Sequence, residues 1–312
     1  MKALIIGAAG FVGNYLIRHL REDKGWEVYA TKLPHEIVKE ETKAVFDLDI
    51  LKKEEIKEVL QLVQPDCILH LAAQSSVALS WKNPALTVDI NIKGSVNMLD
   101  AVREMQVNPR ILMIGSGEEY GRILPEETPI VETNCLRPGN IYAATKAAQN
   151  MIGKIYADAY GMDIILVRAF NHVGPGQAPL FVVSDFCKQA AEIKKGLRAP
   201  SFQVGNLAAK RDFTDVRDVV RAYGLLIEKG RGGETYNVGS GKALEINEIL
   251  KRIIALAEID AEVIVEKERL RPIDIPIIEA DIEKLQSDTA WSRSYGLDTT
   301  LKDTIQYWLE NI

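Results

Sequence analysis

Three residues in the first half of the chain could carry out redox chemistry at a carbonyl group. Tyr142 and Lys146 are four positions apart in a segment with helical spacing, so their side chains share one face of the predicted helix. We expect the ammonium group to stabilise the phenolate and to lower the pKa of Tyr142 from its ordinary value of about 10. Such a phenol can give a proton to a carbonyl oxygen while hydride reaches the carbon. Ser116 lies just past a predicted strand, where its hydroxyl could hold the same oxygen.

A glycine-rich segment, Gly7-Ala8-Ala9-Gly10-Phe11-Val12-Gly13, lies between the first predicted strand and the first predicted helix. Gly7 suits a tight turn, Gly10 the close approach of a pyrophosphate, and Gly13 the close packing of helix on strand. The free N–H groups of the helix N-terminus favour phosphate. A glycine triplet alone is a weak signal, but at the start of a βαβ unit it predicts a dinucleotide site.

The end of the second predicted strand bears on which dinucleotide is used. An acidic residue there would bind the adenine ribose hydroxyls and repel a 2′-phosphate. This chain has Lys32 instead, which favours NADP(H), with NAD(H) as an accepted alternative. Lys32 is equally consistent with a solvated loop residue. The other residues predicted to lie beside the cofactor are Asp47, Leu48, Leu71, Ala72 and Ala73.

The elements that must position these residues alternate between short apolar runs and amphipathic helical stretches. This alternation predicts an α/β Rossmann fold, a doubly wound parallel sheet with its ligands at the carboxyl ends of the strands. The predicted strands of this half are Ala3–Ile6, Glu27–Thr31, Cys67–Leu71, Arg110–Ile114 and Ile164–Arg168. The predicted helices are Phe11–Arg21, Lys53–Leu62, Ile92–Met105 and Tyr142–Tyr160.

The pattern changes after Arg168, where the Gly- and Pro-rich segment Asn171–Pro179 predicts a loop that leaves the sheet. We predict a dinucleotide-binding domain of residues 1–170 plus about 215–240, and a smaller mixed α/β substrate domain of about 171–214 plus 241–312. The later predicted elements are the helix Phe181–Lys195, the strand Phe202–Gly205, the helix Val216–Lys229, the strand Glu234–Val238, and the segments Glu245–Ala257, Glu262–Glu266 and Thr300–Asn311.

The composition narrows the class of protein. The 312-residue chain has a formal net charge of −6, which argues against a partner such as nucleic acid. Cys67, Cys135 and Cys187 are odd in number and widely spaced, which favours a reducing compartment over a disulfide framework. The four histidines form no ligand cluster, so no metal site is predicted.

Nothing in the sequence predicts a membrane partner. No apolar run approaches the ~20 residues that span a bilayer. The first apolar strand begins at Ala3, which leaves no room for a signal peptide before it. We therefore expect a cytoplasmic protein.

Several segments together carry a family resemblance: GAAGFVG, HLAAQSSV, GSGEEYG, YAATK, RAFNHVGPGQ, VGNLAAKRDFTDVRDVV and ETYNVGSG. Over essentially its whole length the chain resembles an extended short-chain dehydrogenase/reductase of the nucleotide-sugar-modifying kind. The resemblance implies an N-terminal cofactor domain, a C-terminal domain for a nucleoside diphosphate sugar, and contact of Lys146 with the nicotinamide ribose. It also implies a homodimer packed through the helices Ile92–Met105 and Tyr142–Tyr160, whose apolar content is equally consistent with ordinary core.

The resemblance also implies the residues that bind the substrate, expected to be a GDP-sugar. Arg211 and Arg271 occupy positions where relatives hold the diphosphate or nucleoside, and a guanidinium matches phosphate oxygens bidentately. Either arginine is also consistent with a solvated or capping residue, and His172 is more consistent with a packed side chain than with an acid or base. The remaining predicted substrate contacts are Gln74, Ser75, Ser116, Gly117, Glu118 and Asn171.

Two reactions on GDP-mannose derivatives compete within this branch. Reduction of the C4 ketone of GDP-4-keto-6-deoxy-D-mannose to GDP-D-rhamnose needs only Ser116, Tyr142 and Lys146. Dehydration of GDP-mannose across C5 and C6 also needs a base and an acid, and Glu118 matches the glutamate of the dehydratases, whereas Gly117 removes one possible acid. The dehydratases carry Gln-Asp where this chain has Phe11-Val12, so reduction is favoured.

Two further functions are open. A nucleotide-sugar 4-epimerase shares the scaffold but usually has an acidic residue after the second strand, where this chain has Lys32. A non-catalytic NADP-sensing protein commonly lacks the tyrosine or the lysine, and both are present here.

Overall fold

In a computed structural model of the chain, which describes residues 1–269 and 275–312, parallel strands and helices alternate through the first half. The strands are β1 (Lys2–Ile6), β2 (Glu27–Lys32), β3 (Ala44–Asp47), β4 (Cys67–His70), β5 (Arg110–Ser116), β6 (Ile164–Ala169), β7 (Asn171–Val173), β8 (Ser201–Val204), β9 (Lys210–Asp215), β10 (Thr235–Val238), β11 (Ala243–Glu245), β12 (Glu262–Val265) and β13 (Ile277–Ile278). The helices are α1 (Phe11–Arg18), α2 (Lys53–Val63), α3 (Val77–Lys82), α4 (Pro84–Val88), α5 (Gly94–Glu104), α6 (Ile141–Tyr160), α7 (Val182–Lys194), α8 (Val216–Lys229), α9 (Ile246–Ala257), α10 (Glu283–Thr289) and α11 (Leu297–Asn311).

The main sheet has seven strands in the order β3-β2-β1-β4-β5-β6-β10, and each neighbouring pair is parallel. The chain order reverses between β1 and β4, which opens a crevice at the carboxyl ends of these strands. Ligands of open α/β sheets bind in this crevice. The predicted α/β Rossmann class is confirmed.

The strands of this sheet are apolar throughout because both faces are covered. Along β1, Ala3 and Ile5 belong to one core, and Leu4 and Ile6 belong to the other. Successive side chains of a strand point to opposite faces, so a strand buried on both faces loses the usual alternation of apolar and polar residues. Helices α1 and α8 cover the first face, and α2, α5 and α6 cover the second.

A smaller part of the chain packs around a third core, which includes Phe186, Phe202 and Ile249. Its centre is β9, which pairs in parallel with β7 and β13 and antiparallel with β11. A second, two-stranded sheet joins β8 to β12, and α7, α9 and α11 pack on one another. Because β7 follows β6 directly, the smaller sheet begins at the edge of the crevice.

The structure corrects several sequence predictions. The segment Asn171–Pro179 is not a loop throughout, because its first three residues form β7 against β9. The first helix is α-helical only to Arg18 and continues as a π-helical turn, His19–Asp23. The elements that were not predicted are β3, α3, α4, β9, β11, β13 and α10.

The division into two domains stays a prediction, and one packing contact bears on it. Helix α10 lies within the part assigned to the substrate domain, yet it packs on α8 and β10. Leu285 and Trp291 are buried in the core of the main sheet. This C-terminal segment therefore packs on the main sheet and its helices.

The close contact between α1 and the β1 turn gives a testable prediction. A Cβ at Gly13 would lie 2.1 Å from the carbonyl oxygen of Ala8, so Gly13→Ala must push α1 away from the turn. We expect a loss of roughly 1–3 kcal/mol in the free energy of unfolding, measured by urea denaturation. At Gly139 a Cβ would meet nothing within 4 Å, and Gly139→Ala should stay within about 0.5 kcal/mol of the parent. Equal losses in the two variants would contradict this account.

Candidate functional site

A cavity of about 1440 Å³ opens at the carboxyl ends of β1, β4 and β5 and extends to the smaller part of the chain. Pockets for one small ligand typically measure ~300–1000 Å³, so this cavity has room for two. Its lining comes from both parts of the chain: the glycine loop at one end, Ser116 and Tyr142 in the middle, and Arg211 at the other end.

The glycine loop has the geometry of a phosphate cradle. Gly7 has a φ of +84°, and a Cβ there would lie 2.6 Å from Cα of Ala72, so only glycine fits this turn. At Gly10, which precedes α1, the nearest atom to a Cβ would be the Gly7 carbonyl oxygen at 3.9 Å. The backbone is therefore open toward the cavity, and the first N–H groups of α1 face it without an acidic residue in the first turn. This arrangement fits the pyrophosphate of a dinucleotide.

The other residues predicted to contact the cofactor divide into two groups. Lys32 lines the cavity, whereas Asp47 does not and instead accepts a 2.5 Å hydrogen bond from the Lys32 ammonium group. Contact of Asp47 with the adenine stays a prediction. Those that line the cavity are Gly7, Gly10, Phe11, Val12, Gly13, Leu48, Leu71, Ala72 and Ala73.

Glu36 is a cavity residue that the sequence did not single out. Its carboxylate accepts a 2.9 Å hydrogen bond from the backbone N–H of Leu33 and lines the cavity beside Lys32. Sequence reasoning looked for an acid directly after β2 and not four residues on. A cation and an anion therefore both stand at this end of the cavity.

The predicted catalytic pair meets at the centre of the cavity. Ser116 ends β5 and Tyr142 lies in the first turn of α6, and each is only 8% exposed. Burial raises the pKa of Tyr142, and the Ser116 side chain only partly offsets this rise. The phenol is consequently protonated near neutral pH.

The prediction that Lys146 lowers the pKa of Tyr142 is corrected, because the ammonium group has other partners. It donates hydrogen bonds to the Ile114 carbonyl oxygen at 2.7 Å and to Gln149 Oε1 at 3.0 Å. Burial lowers the pKa of Lys146 to about 8. Lys146 still lines the cavity one turn after Tyr142.

Local capping explains how α6 presents Tyr142. Asn140 caps the helix by accepting a 2.8 Å hydrogen bond from the Ala143 N–H, an arrangement that asparagine favours. Its amide also donates to Glu118 Oε2 at 3.2 Å, which holds this carboxylate at the cavity wall. An asparagine just before an amphipathic run is a signal that the sequence offered and that the predictions did not use.

A buried carboxylate lies beneath this site. Glu119 is fully buried and accepts hydrogen bonds from the Ser116 N–H at 2.7 Å, from Asn150 at 2.9 Å and from Arg168 Nε at 3.1 Å. Burial raises its pKa, and the charge of Arg168 opposes the rise. Glu119 therefore fixes the end of β5 against α6 and β6, a role that the spacing of the sequence did not reveal.

The predicted substrate contacts lie at the far end of the cavity. Asn171 lines it, and its amide donates to the Asp212 carbonyl oxygen at 3.4 Å. Arg211 also lines it and donates to the Ile275 carbonyl oxygen at 2.6 Å. The other predicted contacts that line the cavity are Ser75, Ser116, Gly117 and Glu118, and Arg271 lies outside the described residues.

Gln74 and His172 hold the walls of the cavity in place. Gln74 does not line the cavity, and its amide donates to the Ser76 carbonyl oxygen and to Thr87. Its contact with the sugar stays a prediction. The ring of His172 stacks on Phe11 with centroids 6.1 Å apart, and burial lowers its pKa. His172 is thus a packed side chain, as expected.

In the described ranges, no three His, Cys, Asp or Glu side chains are grouped so that they could hold a metal ion. Within those same ranges, no helix has both the length and the apolar character needed to cross a membrane.

Comparison with solved structures supports the fold and the kind of cofactor. A structure described as RMD from Pseudomonas aeruginosa complexed with NADPH superposes with a TM-score of 0.90 at 29% identity and full coverage of both chains. A UDP-glucose 4-epimerase from Thermus thermophilus in complex with NAD superposes with a TM-score of 0.88 at 28% identity, again covering both chains fully. This chain has the architecture of nicotinamide-dependent enzymes.

Sequence comparison gives the family. The chain is 29% identical to the GDP-6-deoxy-D-mannose reductase of Pseudomonas aeruginosa, over 98% of this chain and 97% of the relative. It is 28% identical to GDP-mannose 4,6 dehydratase 1 of Arabidopsis thaliana, over 99% of this chain and 90% of the relative. The family profile described as GDP-mannose 4,6 dehydratase matches residues 4–304. The chain therefore belongs to this family of extended short-chain dehydrogenases/reductases and is an NAD(P)-dependent enzyme of nucleotide-sugar metabolism.

Proposed function

We propose that this enzyme reduces the C4 ketone of GDP-4-keto-6-deoxy-D-mannose to GDP-D-rhamnose with NADPH. The observation that carries the proposal is that Ser116 and Tyr142, both buried, line one cavity with room for a dinucleotide and a nucleotide sugar. The similarity to the reductase of Pseudomonas aeruginosa supports it.

The protonation state of Tyr142 suits reduction. A ketone must gain a proton at oxygen, and burial keeps the phenol protonated and ready to donate. Ser116 holds the same oxygen from β5 and shares the developing negative charge. The chemistry that a bound reduced nicotinamide supplies is the hydride, with its two electrons, for C4. Tyr142 then gives its proton to O4 and is left as the phenolate.

The substrate end of the cavity suits a nucleoside diphosphate. Arg211 and Asn171 would hold the diphosphate and the sugar from the smaller sheet, while Ser75 would contact the hexose from the main one. Binding energy spent on the nucleotide orients the distant C4 carbonyl toward Tyr142. Arg211 as a whole residue is only 9% exposed, so its contacts with an anion are little screened by solvent.

One observation favours a second function, the 4,6-dehydration of GDP-mannose. Glu118 lines the cavity and is held there by Asn140, where it could remove the C5 proton. Gly117, however, supplies no acid for the C6 hydroxyl. A 4-epimerase is disfavoured by Lys32, which stands where those enzymes usually have an acidic residue after the second strand.

The preference for NADPH rests on Lys32. Lys32 lines the cavity at the end of β2 and forms an ion pair with Asp47. The Asp47 side chain is 59% exposed and does not line the cavity. A 2′-phosphate would bring two negative charges to the Lys32 ammonium group. The carboxylate of Glu36 would repel a 2′-phosphate, so we expect NADH to be accepted as a poorer cofactor.

A homodimer is the assembly that we propose. Met151 and Ile155 are 60% and 58% exposed and four residues apart on α6, so they form one apolar stripe on the helix face away from the sheet. Val88, at the end of α4, is also exposed, and α4 contacts α6. A second copy that packs the same stripe against this one would remove it from water.

One experiment separates reduction of the keto sugar from dehydration of GDP-mannose. With GDP-4-keto-6-deoxy-D-mannose and stoichiometric NADPH, absorbance at 340 nm should fall. GDP-mannose with catalytic NADP⁺ should stay unchanged. Tyr142→Phe should slow the reduction by about 10²–10⁴-fold because the proton donor is lost. The matched control is Tyr156→Phe, since Tyr156 lies on the same helix as Tyr142 and donates instead to Asp100 on α5.

A dehydratase would be recognised by its products and by its dependence on Glu118. Conversion of GDP-mannose to a 4-keto product without net use of cofactor, abolished by Glu118→Gln, would establish the dehydratase. Normal turnover by Tyr142→Phe would refute the role of the phenol in either reaction.

The second prediction concerns the choice of cofactor. Lys32→Ala should weaken NADPH binding by about 10–100-fold, the loss of one charged hydrogen bond, and should leave NADH binding nearly unchanged. Fluorescence titration measures both dissociation constants. Lys43→Ala, at an exposed position away from the cavity, is the matched control. Parent enzyme that binds NADH more tightly than NADPH would contradict the assignment.

The third prediction concerns assembly. Ile155→Glu should convert the dimer to a monomer in light scattering, because a buried unpaired carboxylate opposes association. Leu62→Glu places the same charge at a residue of α2 that is 72% exposed and should leave the mass unchanged. A monomeric parent protein, or a dimer that survives Ile155→Glu, would show that this face is not the interface.

A further inference from the structure

Tyr223 is a cavity residue with no role so far. It lies in the middle of α8, which packs on α1 and β5. Its side chain is fully buried in the core of the main sheet, and it also lines the large cavity. It therefore brings a single polar atom, its hydroxyl oxygen, to an otherwise apolar part of the wall.

This hydroxyl has no hydrogen-bond partner among the described residues. Other tyrosines of the chain have one: Tyr15 donates to the Pro175 carbonyl oxygen, Tyr120 to Asn237, and Tyr236 to Asp288. Buried polar groups are almost always satisfied, and leaving one unpaired costs free energy. The position of Tyr223 at the cavity indicates that its partner is a bound molecule.

The neighbours of Tyr223 indicate which part of the cavity it serves. Helix α8 packs on β5, the strand that ends at Ser116, so Tyr223 approaches the cavity from the side of the catalytic strand. Burial raises the pKa of Tyr223, and the Tyr142 phenol adds to the rise, so Tyr223 stays neutral. We therefore assign Tyr223 to the catalytic end of the cavity.

We propose that the hydroxyl of Tyr223 binds the carboxamide of the nicotinamide and so fixes the rotation of the ring. This inference rests on the proposed use of a nicotinamide cofactor. The ring itself is apolar, and Lys146 is expected at its ribose, so the carboxamide is the polar group left to orient the ring. A neutral phenol can donate to the amide oxygen or accept from its nitrogen. Without this bond, the ring is free to turn its other face toward the ketone.

The test is the variant Tyr223→Phe, with binding as the first readout. NADPH should bind about three- to tenfold more weakly, the effect of one neutral hydrogen bond. The fragment 2′-phospho-ADP-ribose, which lacks the nicotinamide, should bind variant and parent equally. Equal NADPH affinities for variant and parent would overturn the inference, and so would an equal loss of affinity for the fragment.

Thermal unfolding of the ligand-free protein separates binding from a structural role. Tyr223→Phe removes a buried, unpaired hydroxyl and should unfold at the same temperature as the parent or higher. Tyr120→Phe removes bonds to Asn237 and Arg168 and should unfold at a lower temperature. Destabilisation of Tyr223→Phe would show that its hydroxyl has a partner within the fold and would overturn the inference. Failure of the parent itself to bind NADPH would instead refute the proposed function.

Discussion

The buried carboxylate of Glu119 is the interaction on which the geometry of the site depends. It accepts hydrogen bonds from the backbone at the end of β5, from Asn150 on α6 and from Arg168 on β6. Removing one partner of a buried, hydrogen-bonded ion pair typically costs ~3–5 kcal/mol, because the other charge is left uncompensated. The three elements that carry Ser116, Tyr142 and the floor of the cavity are thus tied at one point, in a place that admits neither water nor ligand.

Electrostatics then divides the cavity along its length. Lys32 and the first N–H groups of α1 make one end attractive to phosphate, and Arg211 does so at the other. Between them Ser116 and Tyr142 are neutral and buried, and Lys146 has a pKa of only about 8. Two anionic ligands could thus be held from the two ends, while Ser116 and Tyr142 lie buried in a region of low dielectric, where hydrogen bonds to a developing charge are strongest.

The parts predicted from the sequence were those with local signals. The glycine loop, the strand-end serine and the Tyr/Lys helix each follow from short spacing rules, and the alternation of apolar runs with amphipathic helices led to the sheet. Contacts between distant segments could not be predicted this way. The pairing of β7 with β9 spans about 40 residues and turned an expected loop into a strand. Likewise, Gln74 looks from the sequence like a ligand residue, yet its amide is occupied by Ser76 and Thr87.

The placement of Tyr142 on α6 has a mechanical consequence. The same helix runs for 20 residues, about 30 Å at 1.5 Å per residue, and carries the exposed stripe of Met151 and Ile155 at its middle. Between the two lies continuous hydrogen-bonded helix, which transmits a small tilt along its whole length. Tyr142 and that exposed stripe therefore belong to one continuous helix, so the position of the proposed proton donor and the packing of the distant surface are coupled through a single element.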